Sequence, residues 1–407
     1  MTERRDLFDP LALGGDPFPA FASRRKAGGS AWGKPPYPEL NGALYVFSHK
    51  LVSEALKHPL LLQAPPGAYQ EVRQKITSSD ALGLLTRSML LSDPPRHLQL
   101  RRPLSGQMTG SASHSMTADL RRDALALTRA AVAGRRFDAI RELAIPFSVG
   151  VLANILGIDI EEPSRVADLA QRMADALDIR TAQVSEDANQ ACRELSEWVY
   201  HILQTGRISA GGLVARMLSE AELGRWERDD VVANVVFLLF AGQATVVDTF
   251  GNALFALSAF PKQFELLESQ TVSWQTAAEE LLRYCAPVHY AGARIAAEDL
   301  HFAGQFIEAG QGIVPVLASA NRDEAVFPAG DSLDLRSRVP STLTFGTGLH
   351  ICLGQHVARL ELAALLEALS TVAKGWRLDL EACVRRPSIL LFGLKSAPML
   401  TRASPRL

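Results

Sequence analysis

Cysteine is scarce in this chain: four in 407 residues, at positions 192, 285, 352 and 383, with no CxxC pair among them. That spacing argues against a zinc site and against a disulfide framework. Net charge is nearly absent as well. Forty-two basic side chains face 44 acidic ones, a formal charge of −2, so there is no global electrostatic case for nucleic acid. The start, Met1 to Asp6, lacks the apolar stretch of a signal peptide. Long hydrophobic runs are missing too: the longest nearly apolar one, Val231 to Gly242, is 12 residues, contains Asn234, and is too short to span a bilayer. These absences lead us to expect a cytoplasmic protein with neither a membrane nor a nucleic-acid partner.

What remains is globular. Apolar residues make up 47% and charged residues 21%, which excludes a disordered chain, a coiled coil and a collagen-like fibre. At 407 residues the chain exceeds the roughly 250–300 over which one core usually keeps growing. It holds either two domains or one large domain organised around something other than its own side chains. No internal repeat is evident.

Residues 1–40, rich in Gly and Pro, read as a surface wrap, and Ala43–Phe47 as a strand followed by a helix from about Leu51 to Lys57. Residues 60–90 read as a long irregular loop, of the kind that often lines a binding site. A mainly helical stretch follows to about residue 205. Acidic Glu227, Asp229 and Asp230 suit the start of a long, buried helix running to about Phe260, where Pro261 stops it. Beyond it are a helix over Thr276–Tyr284, short strands from Val288 to Pro315, a last helix from Cys352 to about Lys374, and a β-prone segment at Ser388–Leu394.

The run Phe345-Gly346-Thr347-Gly348-Leu349-His350-Ile351-Cys352-Leu353-Gly354 lies between a loop and that last helix. Read blandly, it is a glycine-rich turn with a buried cysteine. The chemistry is more specific. Glycines let backbone amides approach a sulfur, and a thiolate near a helix N-terminus is stabilised by those amides and the helix dipole. A thiolate held in this way is a good axial ligand for haem iron.

From about Asp93 to Leu394 the chain resembles the cytochrome P450 family in its soluble bacterial form. The resemblance implies a single domain over 1–407, mainly α with a minor β region (about 1–60 and 288–315). Haem b would lie between the long helix and the Cys352 loop. By it, Cys352 is the proximal iron ligand, His350 offers a cation to a haem propionate, Phe345 packs near the sulfur, and Gly346 and Gly354 shape the loop. Asp93-Pro94-Pro95-Arg96-His97-Leu98-Gln99-Leu100-Arg101 resembles the family's DPPxHxxxR segment, so His97 and Arg101, together with Arg294, would face the propionates. Glu280-Leu281-Leu282-Arg283 matches ExxR, a structural ion pair whose usual third member is an arginine. Arg336 and Arg338 both lie near that member's place.

The departure lies in Ala241-Gly242-Gln243-Ala244-Thr245-Val246-Val247-Asp248. Family members commonly carry an acid beside the threonine to deliver protons to iron-bound dioxygen. Gly242 and Thr245 are present, but the acid position is Ala244. Asp248, one turn on, either serves through water or bonds structurally. The pattern would line a substrate pocket with the 60–90 loop, Phe237, Leu238, Ala241, Val288, His289, Gly292, Leu391 and Phe392, with His289 and Tyr290 as polar handles if they face inward. This suits a small, largely hydrophobic molecule. There is no room for a fused flavin domain, so electrons from NAD(P)H are expected through separate partners, a ferredoxin and ferredoxin reductase, docking near Arg101, Arg102, His356 and Arg359. The expected activity is mono-oxygenation, most simply hydroxylation in a biosynthetic pathway. The rivals are an atypical oxidation (desaturation, oxidative coupling, peroxide-driven turnover) and a non-catalytic haem sensor.

Overall fold

The acidic start at Glu227 does open a helix of 32 residues, Arg228–Ala259, in the computed structural model, which describes residues 16–35, 42–63, 79–133, 136–174, 184–340, 342–386, 388 and 391–400. The Asp230 carboxylate accepts the Glu227 backbone N–H at 2.7 Å, completing a capping box, and Pro261 begins the next helix. At 1.5 Å per residue the long helix runs about 48 Å. It packs against the helices Ile145–Leu156, Pro163–Ala174, Glu186–Thr205, Leu213–Glu222 and Gln355–Val372, and its apolar side chains form the middle of the main core.

The minor β region gathers around a five-stranded sheet, in the order Ser30–Gly33, Ala43–Val46, Gly312–Pro315, Arg294–Ala296, Leu61–Leu62. Ala43–Val46 and Gly312–Pro315 pair in parallel and the others antiparallel. Alternate sides of this sheet feed two smaller cores, one around Leu44, Val46 and Ile313, the other around Phe21, Tyr45 and Tyr290. The fold is mainly α with small sheets, as the sequence pattern implies.

Several boundaries differ from expectation. Residues 16–35 are not merely a wrap: they hold the helix Phe18–Lys26, whose Phe21 is buried, and an edge strand. The 60–90 stretch is not one loop, because it contains the strand Leu61–Leu62, the helix Asp80–Thr86 and a short helical turn at Met89–Leu91. Residues 64–78 of it lie outside the described residues. The Thr276–Tyr284 helix starts earlier, at Trp274, where the Ser273 hydroxyl accepts the Thr276 N–H. C-terminal strands fall at Leu394–Ser396 and Pro398–Leu400, and Leu391 forms only an isolated bridge with Val288.

Counting an unbroken apolar run also understated two segments. Among the described residues, Ala139–Leu156 and Arg228–Ala259 are long and apolar enough, by length and composition, to cross a membrane. In the long helix 72% of the relevant window is buried inside the protein, which is how a core helix satisfies the same test.

Candidate functional site

The Cys352 loop is built by backbone bonds that its glycines permit. Gly346 adopts φ 67° and donates its N–H to Leu343 O at 2.9 Å, and the Cys352 N–H returns to Phe345 O at 2.9 Å. Gly348, at φ 76°, sits so close to the preceding layer that a Cβ would stand 2.7 Å from Leu56 O. This closed turn holds only a short 3-10 turn, Gly348–His350, so the last α-helix begins at Gln355, three residues later than expected, with the Ala358 N–H returning to Gly354 O. Cys352 therefore lies just before the helix rather than in its first turn. Burial pushes its thiol pKa up, while the Gly354 N–H, Arg101 and Arg359 pull it back.

Around that loop the chain collects four basic groups. His97 is fully buried, and neither of its ring nitrogens has a hydrogen-bond partner among the described residues. Its ring centroid lies 4.2 Å from that of His350. Arg101 Nη2 donates to Ile351 O at 2.6 Å, and buried Arg294, placed by its strand, donates to Gly292 O at 3.1 Å. Burial first, then Arg101 and later Arg294, holds His97 down to about 4. Burial first, then Arg294, holds His350 down to about 3. Asp93 opposes this trend at His97. Four basic groups converging on unpartnered buried nitrogens make a cradle for an anion, and the donor set fits the two carboxylates of a haem beside a thiolate ligand.

Phe345 stands next to this cradle with the Arg359 guanidinium 4.4 Å over its ring, while Arg359 Nε is bonded to Glu279 at 2.6 Å. Behind it, Glu280 and Arg283 are both buried and joined by two parallel bonds of 2.7 Å. Arg283 Nη1 donates to Asn321 O and Gly330 O, and Nη2 also to Ser332 O, so all five of its N–H donors are used. The Asp334 N–H donates to Glu280 Oε1 at 3.0 Å. Neither Arg336 nor Arg338 joins the pair, for both are exposed. Backbone groups take the place of the expected third arginine.

The long helix carries a strip of partly accessible residues, Phe237, Leu238, Ala241, Gly242 and Thr245, while its other positions from 231 to 250 are buried. Such i, i+4 spacing is one helical face. At Gly242 a Cβ would come 2.6 Å from Leu152 Cδ2, so this glycine lets two helices approach closely. Thr245 Oγ1 donates to Ala241 O at 2.7 Å.

Three expected roles are corrected here. Asp248 is no free proton carrier: its wholly buried carboxylate is ion-paired with Arg386 at 2.9 Å. His289 is no polar handle, because its ring is buried between Phe392, stacked at 4.8 Å, and Phe18 at 5.7 Å. Tyr290 is sealed in the sheet-side core against Phe21. The basic patch shrinks as well. Arg101 turns to the Cys352 loop and Arg359 to Glu279, leaving Arg102 and His356 as its exposed members. Of the other expected pocket residues, Val288 and Phe392 are partly accessible and Gly292 is exposed. Arg386 and Asn252, which join distant segments here, carried no local sequence signal.

The family description "Cytochrome P450" matches residues 274–369. The vitamin D3 dihydroxylase of Streptomyces griseolus is 30% identical over 311 residues, 75% of this chain and 75% of that one. The vitamin D(3) 25-hydroxylase of Pseudonocardia autotrophica is 28% identical over 98% of this chain and 96% of its own. The crystal structure of CalO2 superposes with a TM-score of 0.87 at 25% identity, covering 98% of this chain and 99% of that one.

Proposed function

The chain belongs to the cytochrome P450 family, and on that premise we propose that it uses Cys352 to hold haem b and oxidises a small, largely hydrophobic organic molecule, most simply by hydroxylation. It is an oxidoreductase of the mono-oxygenase type. The observation that carries the site assignment is the convergence of His97, Arg101, Arg294 and His350 beside the Cys352 loop, with both His97 nitrogens buried and without a hydrogen-bond partner among the described residues. The bound haem would supply the redox chemistry that lets dioxygen react with an organic molecule.

The chain's own residues do the rest. Arg101, Arg294 and the two imidazoles would neutralise the haem carboxylates, since buried anions are costly without such partners. Gly354 N–H and the charges of Arg101 and Arg359 favour Cys352 as thiolate against the effect of burial. Phe345, held under Arg359, would shield the sulfur from water. The strip from Phe237 to Thr245 would face the haem, with Ala241 and Gly242 leaving room above it and the Thr245 hydroxyl holding a proton-bearing group. Phe237, Leu238, Ala241, Val288, Gly292, Leu391 and Phe392 would wall the substrate space.

Electrons would come from NAD(P)H through a separate ferredoxin and ferredoxin reductase, docking near Arg102 and His356. The whole would act as one domain in the cytoplasm, in a biosynthetic pathway. A second reading, an atypical oxidation, is favoured by one specific observation. Ala244 replaces the usual acid and Asp248 is committed to Arg386, so protons must come from ordered water or from the substrate.

The assignment is tested on the purified, reduced protein under carbon monoxide. A Soret band shifted to the red as in thiolate ligation is expected, and Cys352→His abolishes it. Retention of that band in Cys352→Ala excludes the assignment.

A further inference from the structure

The long helix is stitched to Arg386, Phe392 and Gly393, beside the C-terminal strands, by side chains one turn apart. Asp248 accepts from Arg386 Nη2 at 2.9 Å, with Asp248 wholly buried and the arginine side chain 11% exposed. Gly393 lies so near that a Cβ there would stand 2.0 Å from Asp248 Oδ1. One turn on, Asn252 Nδ2 donates to Phe392 O at 2.7 Å and to Cys285 O at 3.2 Å. The Phe392 N–H donates to Pro287 O at 2.8 Å, and Leu391 bridges Val288. These bonds tie Val288, Leu391 and Phe392 to the helix that carries Thr245, three residues before Asp248.

We propose that Asp248 is a positioning residue for substrate selection: through Arg386 it sets where the Val288–Leu391–Phe392 wall stands, and so which molecules the site admits. This rests on the haem-thiolate reading above. The physical argument is one of unequal stiffness. Asp248 sits in the middle of a packed 32-residue helix, whereas Arg386 and Gly393 lie just outside the paired strands Val384–Arg385 and Leu394–Ser396. Breaking the pair takes the ion-pair partner from a buried charge, and positions 386 and 393, which lie outside any helix or strand, are the side that shifts in response. Gly393 matters for the same reason, because only a residue without a Cβ lets the wall come that close to the carboxylate.

The experiment titrates haem-loaded protein by absorbance with two azoles that bind iron, compact imidazole and bulky clotrimazole. Wild type is compared with Asp248→Asn, Arg386→Met, the double variant, Gly393→Ala and Arg386→Lys. Imidazole needs only access to the iron, and clotrimazole also needs the walls. The expected result is that the clotrimazole-to-imidazole ratio of dissociation constants changes by about tenfold or more in Asp248→Asn and in Arg386→Met. The double variant should go no further than either single, Gly393→Ala should behave like them, and Arg386→Lys should recover most of the wild-type ratio. An unchanged ratio in every variant, or additive effects in the double variant, overturns the proposal. Equal changes for both azoles overturn it too, since they would mark general damage. A wild-type protein that binds neither azole and lacks the thiolate band fails at the underlying reading instead, which keeps the two failures apart.

Discussion

The rings of His97 and His350 lie with their centroids 4.2 Å apart, although the two residues are 253 positions apart in the chain and both are cationic when protonated. The buried imidazole of His97 and the half-buried one of His350, flanked by Arg101 and Arg294, stay neutral in the protein alone, at about 4 and about 3. Their folded values lie below the ordinary 6.5, so the unfolded chain binds more protons between roughly pH 6.5 and 4. The associated stability is complete above about pH 6.5 and is lost as pH falls toward the folded values. Urea denaturation of haem-free protein at several pH values should show this decline, and His97→Asn should make it less steep. Haem loading should flatten it too, because bound carboxylates favour the protonated rings. An identical slope in wild type and His97→Asn would disprove the account.

Removing either half of the Glu280–Arg283 pair should be severe. Each is buried, and the arginine uses all five donors. Glu280→Ala or Arg283→Ala strands the other charge at a cost of about 3–5 kcal/mol, lowering both melting temperature and haem content. Arg336→Ala and Arg338→Ala, at exposed positions, should stay within about 0.5 kcal/mol of wild type. A large loss in either would restore a third arginine to the cluster.

Restoring the family's acid at position 244 should not repair proton supply. Ala244 is fully buried in the main core. Ala244→Glu places a larger side chain and a charge there, and is expected to cost about 2 kcal/mol or more. Thermal unfolding reads this directly, and a melting temperature equal to wild type would show that the core has space.

Two glycines of the Cys352 loop should respond differently to substitution. Gly348→Ala meets both a φ of 76° and the backbone Leu56 O at 2.7 Å, so a loss of about 1–3 kcal/mol is expected, with poorer haem retention. Gly346→Asn, at φ 67° with nothing within 4 Å of a new Cβ, should be nearly neutral, since Asn tolerates the left-handed region. Comparable losses at both positions would show that backbone conformation alone governs the loop.

Much of this was legible in the linear chain because the signals are local. The Phe345–Gly354 run, the ExxR spacing at Glu280 and Arg283, and the acidic start and proline stop of the long helix all concern residues a few positions apart. Spacing along the backbone dictates where such groups lie. Helix ends were less legible. Cys352 and Gln355 show why: the Cys352 N–H is taken by Phe345 O, a choice made by loop closure rather than by helix propensity.

What only the tertiary structure decided is the partnership of distant charges. By itself the sequence determined that Cys352 stands in a glycine-rich turn, that the chain has the family's landmarks, and that no acid occupies position 244. It left Asp248 open between carrying protons and bonding structurally, and left Arg336 and Arg338 open as partners of Glu280. The folded chain gave Asp248 to Arg386, 138 residues away, gave the third arginine's place on Glu280 to the Asp334 N–H, and set three backbone carbonyls to accept the remaining Arg283 donors. The physical reason is that a buried charge takes whichever complementary group packing brings within about 3 Å, and sequence distance sets no term in that energy.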